Sequence, residues 1–259
     1  MSELYDSIRL THLAAAFTSA LGVDAPEGAE SPCDIVLDRL FAEFGEGGAD
    51  RVFIYNPDAV ALWLFQKYTE LFKDAISRTQ IQLPILSVMP SVTPVCFASM
   101  YSGVMPEVHG IMRYEKPVLK IKTVFDALAA AGKRCAIVST EGDSISKIFL
   151  ERDIDYYIYP SVEECNEKAL ELIASDEHDF ITLYNGDYDG TMHRNAPEGK
   201  QSIEALKANI AVFSQIYDTI KEKWSGHRTL LGFCPDHGCH EIDGGAGSHG
   251  LDMQEDMNI

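Results

Sequence analysis

The sequence predicts an α/β fold, a three-layer α/β/α sandwich built on a mostly parallel sheet. Three observations predict it. Beyond residue 50, short apolar runs rich in β-branched and aromatic residues recur along the chain. They alternate with longer segments whose apolar residues repeat at helical spacing. The strand candidates are apolar on both faces, as buried parallel strands are, instead of alternating apolar with polar.

The first 50 residues predict helices only. Leu4, Ile8, Leu10, Leu13, Ala14, Phe17 and Leu21 give helical spacing over 3–21. "GVDAPEGAESP" is a loop, and a second helix over about 33–44 ends in the glycine-rich "GEGGAD". "RVFIY" (51–55) then reads as the first strand, followed by a helix from Asp58 to about 76. "ILSVM" (85–89) reads as a strand, with a helix from Thr93. Helix 121–131, stopped by Gly132, leads to the strand "RCAIVS" (134–139). Helix 144–151 leads to the strand "IDYYIY" (154–159), helix 161–174 to "DFITLY" (179–184), and the long helix 200–223 to "TLLGFC" (229–234). The expectation is one domain over 1–259, with 1–50 as a helical N-terminal extension packed on it and no large cap domain.

Composition narrows the function. The chain has 259 residues, 46% of them hydrophobic, enough for a large core. A formal net charge of −19 argues against nucleic acid or anionic lipid as a partner. The six cysteines form no CxxC pair and sit mostly in apolar segments, as buried thiols do. The amphipathic, acid-containing start is unlike a signal peptide, and no apolar run has spanning length. These features lead us to expect a cytoplasmic location, no membrane and a small-molecule substrate. No strand follows "LDMQEDMNI", which leaves a sheet edge open or covered by a second copy, so a homo-oligomer enters the expectation.

In parallel sheets, ligands bind outside the carboxyl ends of the strands. Asp58 follows the first strand, and "PSVTP" with Thr93 follows the second. "NGDYDGTMH", with Asp189 and His193, follows 179–184. "PDHGCHEIDGGAGSHG", with Asp236, His237, His240 and His249, follows 229–234. Thr93 before Pro94 reads as a helix N-cap, a position surrounded by free N–H groups and the positive end of the helix dipole; a plain capping threonine fits the same letters. Asp189 and His193, four apart, share one face of a helical turn and are spaced for one metal, or are a chance surface pair. Asp236 and His237, at the end of an apolar strand, need a hydrogen-bonded or metal partner. His249 lies in a glycine-rich loop able to fold back. His12, His178 and His227 read as structural or surface residues, and His109 as a turn residue.

Together these segments resemble the alkaline phosphatase superfamily, most closely its type I phosphodiesterase/nucleotide pyrophosphatase branch. "PSVTPVCFASMYSGVMPEVHGI" is similar to that branch's nucleophile segment, with Thr93 at the nucleophile. "DGTMH" resembles D-x-x-G-H, "DHG" and "SHG" resemble the later ligand motifs, and "VFIYNPDA" resembles the strand that delivers the first ligand, Asp58. The likeness spans about 51–250. It departs at Met192 and Ala59, each in place of Gly, at Pro94, one place early, and at Tyr114, in place of a phosphate-contacting Asn.

The resemblance implies an alkaline-phosphatase-like core and two divalent metal ions, Zn²⁺ with Mn²⁺ as the alternative. It assigns Asp189, His193 and His249 to one ion, and Asp58, Asp236, His237 and the Thr93 oxygen to the other. Two dications then balance three carboxylates and one alkoxide. His249 is preferred to His240, which lies only three residues after His237. Tyr114 and Arg113 are the substrate-binding candidates. The implied activity is phosphoester hydrolysis through a phosphoryl-threonine, in the manner of a phosphodiesterase or nucleotide pyrophosphatase. Alternatives are a monoesterase or phosphomutase of the same superfamily, or a metal-binding protein without turnover. Ordinary strands and helices fill 94–188, which speaks against a mutase cap. Cys96 precedes Phe-Ala-Ser instead of a sulfatase C-x-P-x-R.

Overall fold

The computed structural model describes residues 8–259. Helices α1 (His12–Ala20) and α2 (Asp34–Phe44) precede strand β1 (Arg51–Pro57). Next come α3 (Leu62–Lys67), α4 (Lys73–Arg78), α5 (Thr93–Ser102), the single turn α6 (Pro106–His109) and α7 (Val124–Ala130). They are followed by β2 (Cys135–Thr140), α8 (Ile145–Ile148), β3 (Asp155–Tyr159), α9 (Val162–Ser175), β4 (Phe180–Asn185), α10 (Asp187–Asn195) and α11 (Lys200–Lys223). The chain then forms β5 (Thr229–Phe233), the hairpin β6 (His240–Ile242) and β7 (Ala246–Ser248), and α12 (Gln254–Met257).

The main sheet is five-stranded and parallel in every pairing, in the order β3-β2-β4-β1-β5. Alternation along the strands divides the core in two. Val52, Ile54, Ile137, Phe180 and Tyr184 face one layer, with Leu13, Phe17, Phe97, Tyr101 and Phe125 from α1, α5 and α7. Phe53, Tyr55, Val138, Ile181 and Leu183 face the other, with Ile173, Leu206, Phe213 and Ile216 from α9 and α11. The three-layer α/β/α expectation therefore holds.

Four elements differ from expectation, the first being the predicted helix 144–151, which is a single turn over Ile145–Ile148. Residues 85–89 are extended but join no strand of the sheet. Leu86 makes isolated bridges to Arg9 and Asn258, and the Ile85 and Ser87 amides donate to Ile259 O and Met257 O at 2.8 and 2.7 Å. Pro84 and Pro90, which lack N–H donors, bracket the segment and limit its ladder to these short stretches. The predicted helix 3–21 begins only at His12, because Ile8 and Leu10 pair with Leu86; its first part, with Leu4, lies outside the described residues. The predicted helix 58–76 is two helices. The Asp58 amide extends the β1–β4 ladder by bonding Asn185 O at 2.9 Å. Tight turns at Tyr68–Phe72 then separate α3 from α4 and bury Phe72 against Phe65 and Phe233.

One buried network locks α5 onto the sheet. Tyr101 Oη, Asn56 Oδ1 and Thr182 Oγ1 lie 2.6–2.7 Å apart, and Asn56 Nδ2 donates to Cys234 O at 2.7 Å. It joins α5 to β1, β4 and the end of β5. Tyr101→Phe is expected to cost about 1–2 kcal/mol, the loss of one buried hydrogen bond with its partner left short. A urea denaturation midpoint equal to wild type would show that the network contributes nothing.

Candidate active site

The carboxyl ends of β1, β4 and β5 deliver the polar side chains, and α5 brings the hydroxyl. Asp58 leaves β1 just before Ala59, whose φ of 62° lies in the left-handed region. A non-glycine residue pays a steric penalty there. This is the position where the resembled family has Gly, and the Ala59 amide lies 3.3 Å from Asp236 Oδ1. Asp189 and His193 sit one turn apart on α10. Asp236 and His237 follow β5, and His249 follows β7.

Thr93 is the first residue of α5, and the cap is Val92, one residue earlier than expected. Its hydroxyl makes no cap bond. Instead Oγ1 lies 3.3 Å from Asp58 Oδ2 and 3.3 Å from His237 Nε2, and the residue is only 4% exposed. The plain-cap alternative therefore fails on geometry.

The side chains fall into two groups with ligand atoms within 4.8 Å of one another: Asp189, His193 and His249; and Asp58, Asp236 and His237. Stacked rings join them, with the centroids of His237 and His249 4.0 Å apart. Each histidine is held by a backbone carbonyl that accepts from Nδ1 at 2.9 Å: Gly247 O for His193, Gly238 O for His237 and Ser91 O for His249. A carbonyl only accepts, so Nδ1 carries a proton in each, and in the neutral ring Nε2 is left with a lone pair. These Nε2 atoms face carboxylate oxygens, which only accept. His193 and His249 lie 3.2 and 3.4 Å from Asp189 Oδ1, and His237 lies 3.3 Å from Asp58 Oδ1 and from Asp236 Oδ2. Those three oxygens, Asp58 Oδ1, Asp189 Oδ1 and Asp236 Oδ2, are buried without a hydrogen-bond partner. Acceptors converging on acceptors fit a cation, and mixed His/Asp sets fit Zn²⁺ or Mn²⁺.

Protons answer the same demand in the metal-free molecule. Burial, and then the Asp189 charge, raises Asp58 to about 7. Burial followed by repulsion from Asp58 pushes Asp236 well above the carboxylate range. Burial, with His249 beside it, lowers His237 to about 3. Asp189 raises His193 to about 9. Asp189 itself is held below its usual range: burial opposes this, but His193 and His249 outweigh it.

The other sequence candidates are not brought together with these. His240 Nδ1 bonds Asp256 Oδ1 at 2.7 Å instead. The Arg113 side chain is 80% exposed and paired with Glu115, and Tyr114 is 61% exposed with Lys116 over its ring. His109 is buried against Ser99. Met192, the other departure from a family Gly, is buried against Gly247, where a Cβ would collide with its sulfur.

Two further residues matter. Tyr184 donates to Asp58 Oδ2 at 2.5 Å. Asp256, fully buried, accepts from His240 and from the Leu251 amide at 2.8 Å, which fastens the loop that carries His249. Period-two alternation from Phe180 through Thr182 puts Tyr184 on the α5 side of β4, so that signal was present in the sequence. Asp256 gave none.

Metal uptake should release protons. Below about 9 His193 keeps its proton, and below about 7 so does Asp58; both must lose it to act as ligands. Apparent Zn²⁺ affinity should therefore rise from pH 6 to 9. Calorimetry at pH 7 in two buffers of different ionisation enthalpy should count more than one proton released on filling both groups. A flat pH profile with no buffer dependence would contradict this.

Neither a family model nor a curated protein sequence matches the chain. Solved structures do. Murine ectonucleotide pyrophosphatase/phosphodiesterase 5, as an inactive variant in complex with AMP, has a TM-score of 0.60 at 15% identity over 75% of this chain and 59% of its own. Phosphonoacetate hydrolase from Sinorhizobium meliloti 1021, in complex with phosphonoformate, has a TM-score of 0.55 at 17% identity over 76% and 59%. The chain thus spans less than two thirds of the length of either protein. At these identities the likeness establishes architecture, and the chain has the alkaline-phosphatase-like fold shared by these two proteins.

Proposed function

We propose that this protein is a metal-dependent phosphoester hydrolase in which Thr93 is the nucleophile. The observation that carries the reading is the Thr93 hydroxyl, free of capping duty and facing Asp58 and His237 among carboxylate oxygens that lack donors. Asp189, His193 and His249 would hold one divalent ion, and Asp58, Asp236 and His237 with the Thr93 oxygen the other. When bound, the ions supply positive charge to the attacking and leaving oxygens. The similarity to a phosphodiesterase and a phosphonate hydrolase, both crystallised with phosphorus-containing ligands, supports the same reaction class.

The chain's own groups supply the rest. Thr93 Oγ1 attacks phosphorus from a hydroxyl held between Asp58 Oδ2 and His237 Nε2. The new Oγ1–P bond replaces the bond to the leaving alcohol, which departs with the proton that Thr93 gives up. Water then cleaves the phosphoryl-threonine and regenerates the hydroxyl. The start of α5 turns the positive end of its dipole toward the phosphoryl oxygens.

A singly charged ester fits this site better than a monoester dianion. Arg113, the first arginine after the nucleophile, faces Glu115 and solvent, so it does not clamp the third oxygen. Phosphodiesters and phosphonate esters are the proposed substrates.

Thr93→Ala should lower kcat/KM for bis-p-nitrophenyl phosphate by at least about 1,000-fold, the scale of nucleophile loss. The fold and most metal binding should stay intact. Wild type should prefer this diester to p-nitrophenyl phosphate at one pH and one zinc concentration. Near-normal hydrolysis by the variant would remove Thr93 from its role and shift attention to Ser91. A monoester preference would favour a phosphatase.

A further inference from the structure

We infer that Tyr184 is a positioning residue whose hydroxyl aims Asp58 and thereby sets the affinity of the Asp58–Asp236–His237 group for its ion, a step that rests on the proposed function. Tyr184 sits at the end of β4, and its hydroxyl donates to Asp58 Oδ2 at 2.5 Å. Thr93 Oγ1 meets the same oxygen at 3.3 Å. With Oδ2 taken from two sides, the carboxylate has one orientation left. Oδ1 then points to His237 Nε2, 3.3 Å away, without a hydrogen-bond partner.

The phenol is itself held. Its ring meets Phe97 of α5 edge-on, with centroids 5.8 Å apart and planes at 81°. On another side it lies under Gly186, where a Cβ would come within 2.7 Å of the hydroxyl and 3.1 Å of the ring. Gly186 has an ordinary φ of −95°, so its backbone does not require glycine. The close approach of the tyrosine does. Phe97 lies one helical turn beyond Thr93, so the nucleophile's helix and the phenol are packed as one unit. A donor on the non-coordinating oxygen of a metal-binding carboxylate fixes its direction and tunes its basicity, and loss of such a donor typically weakens binding by tenfold to a hundredfold.

Tyr184→Phe keeps the ring against Phe97 and Gly186 and removes only the hydroxyl. The full chain, stripped with chelator, would be titrated with Zn²⁺ against a competing indicator, with bound metal counted per chain. Wild type should hold two ions. Y184F should hold one as tightly as wild type and the other at least about tenfold more weakly. The retained ion, at Asp189, His193 and His249, also certifies the fold. Gly186→Ala displaces the phenol without removing its oxygen and should weaken the same ion. Two ions bound by Y184F with wild-type affinity would overturn the inference, whatever Gly186→Ala does. Wild type that takes up no metal would overturn the proposed function and this inference with it.

Discussion

The molecule is organised around carboxyl groups buried with too few hydrogen-bond donors. Asp58 and Asp236 are inaccessible to solvent, yet each keeps one oxygen without a donor, and so does Asp189. Burying an ion costs several kcal/mol unless a counter-charge accompanies it. His193, raised to about 9 beside Asp189, supplies that charge to the first group, but His237 does not supply it to the second. Burial suppresses protonation of His237, and each Nδ1 proton is committed to a backbone carbonyl. What remains is a set of converging acceptors that fits a divalent cation.

The parallel sheet explains how such residues meet. Every strand of the main sheet points the same way, so the segments leaving β1, β4 and β5 emerge on one rim. The central strand β4 and its neighbour β1 carry the turn into α10 and Asp58, respectively. Their ladder continues to Pro57 and Asn185, so the first aspartate is placed by backbone hydrogen bonds and not by loop packing alone. Thr93 arrives differently. The segment before it is pinned by residues 8–10 on one side and 257–259 on the other, while the Tyr101–Asn56–Thr182 network secures the far end of its helix.

Much of this was legible in the sequence. The alternation of apolar runs with amphipathic helices specified the layers, because burial on both faces leaves a mark in composition. Polar residues just past apolar strands marked Asp58, Asp189, His193, Asp236 and His237. The less legible parts depended on long-range pairing. "ILSVM" has a strand's letters, but the backbone beside it comes from residues 8–10 and 257–259, which no local pattern reveals. Tyr68–Phe72 has helical residues, yet burial of Phe72 against Phe233 favours turns. Tyr114 and Arg113 entered through alignment of a loop, and an exposed loop is where side-chain direction is least constrained. The bond from Tyr184 to Asp58 required both strand register and a rotamer, and the sequence specifies only the first.

The pinned segments have a consequence for how the site breathes. Asp58, Asp189 and His193 follow the β1–β4 ladder and Thr93 begins the locked helix α5, whereas Asp236, His237 and His249 ride on a stretch fastened by a few bonds among residues 8–10, 85–92 and 236–259. Proteins open in sub-global units whose free energies lie well below that of complete unfolding. Opening of the 236–259 stretch with all five strands paired would take His249 from the first group and Asp236 and His237 from the second. Exchange of a bound ion with solvent would then follow this partial opening instead of the global melting of the chain, and amide protons near Leu86 and Met257 would exchange on the same clock.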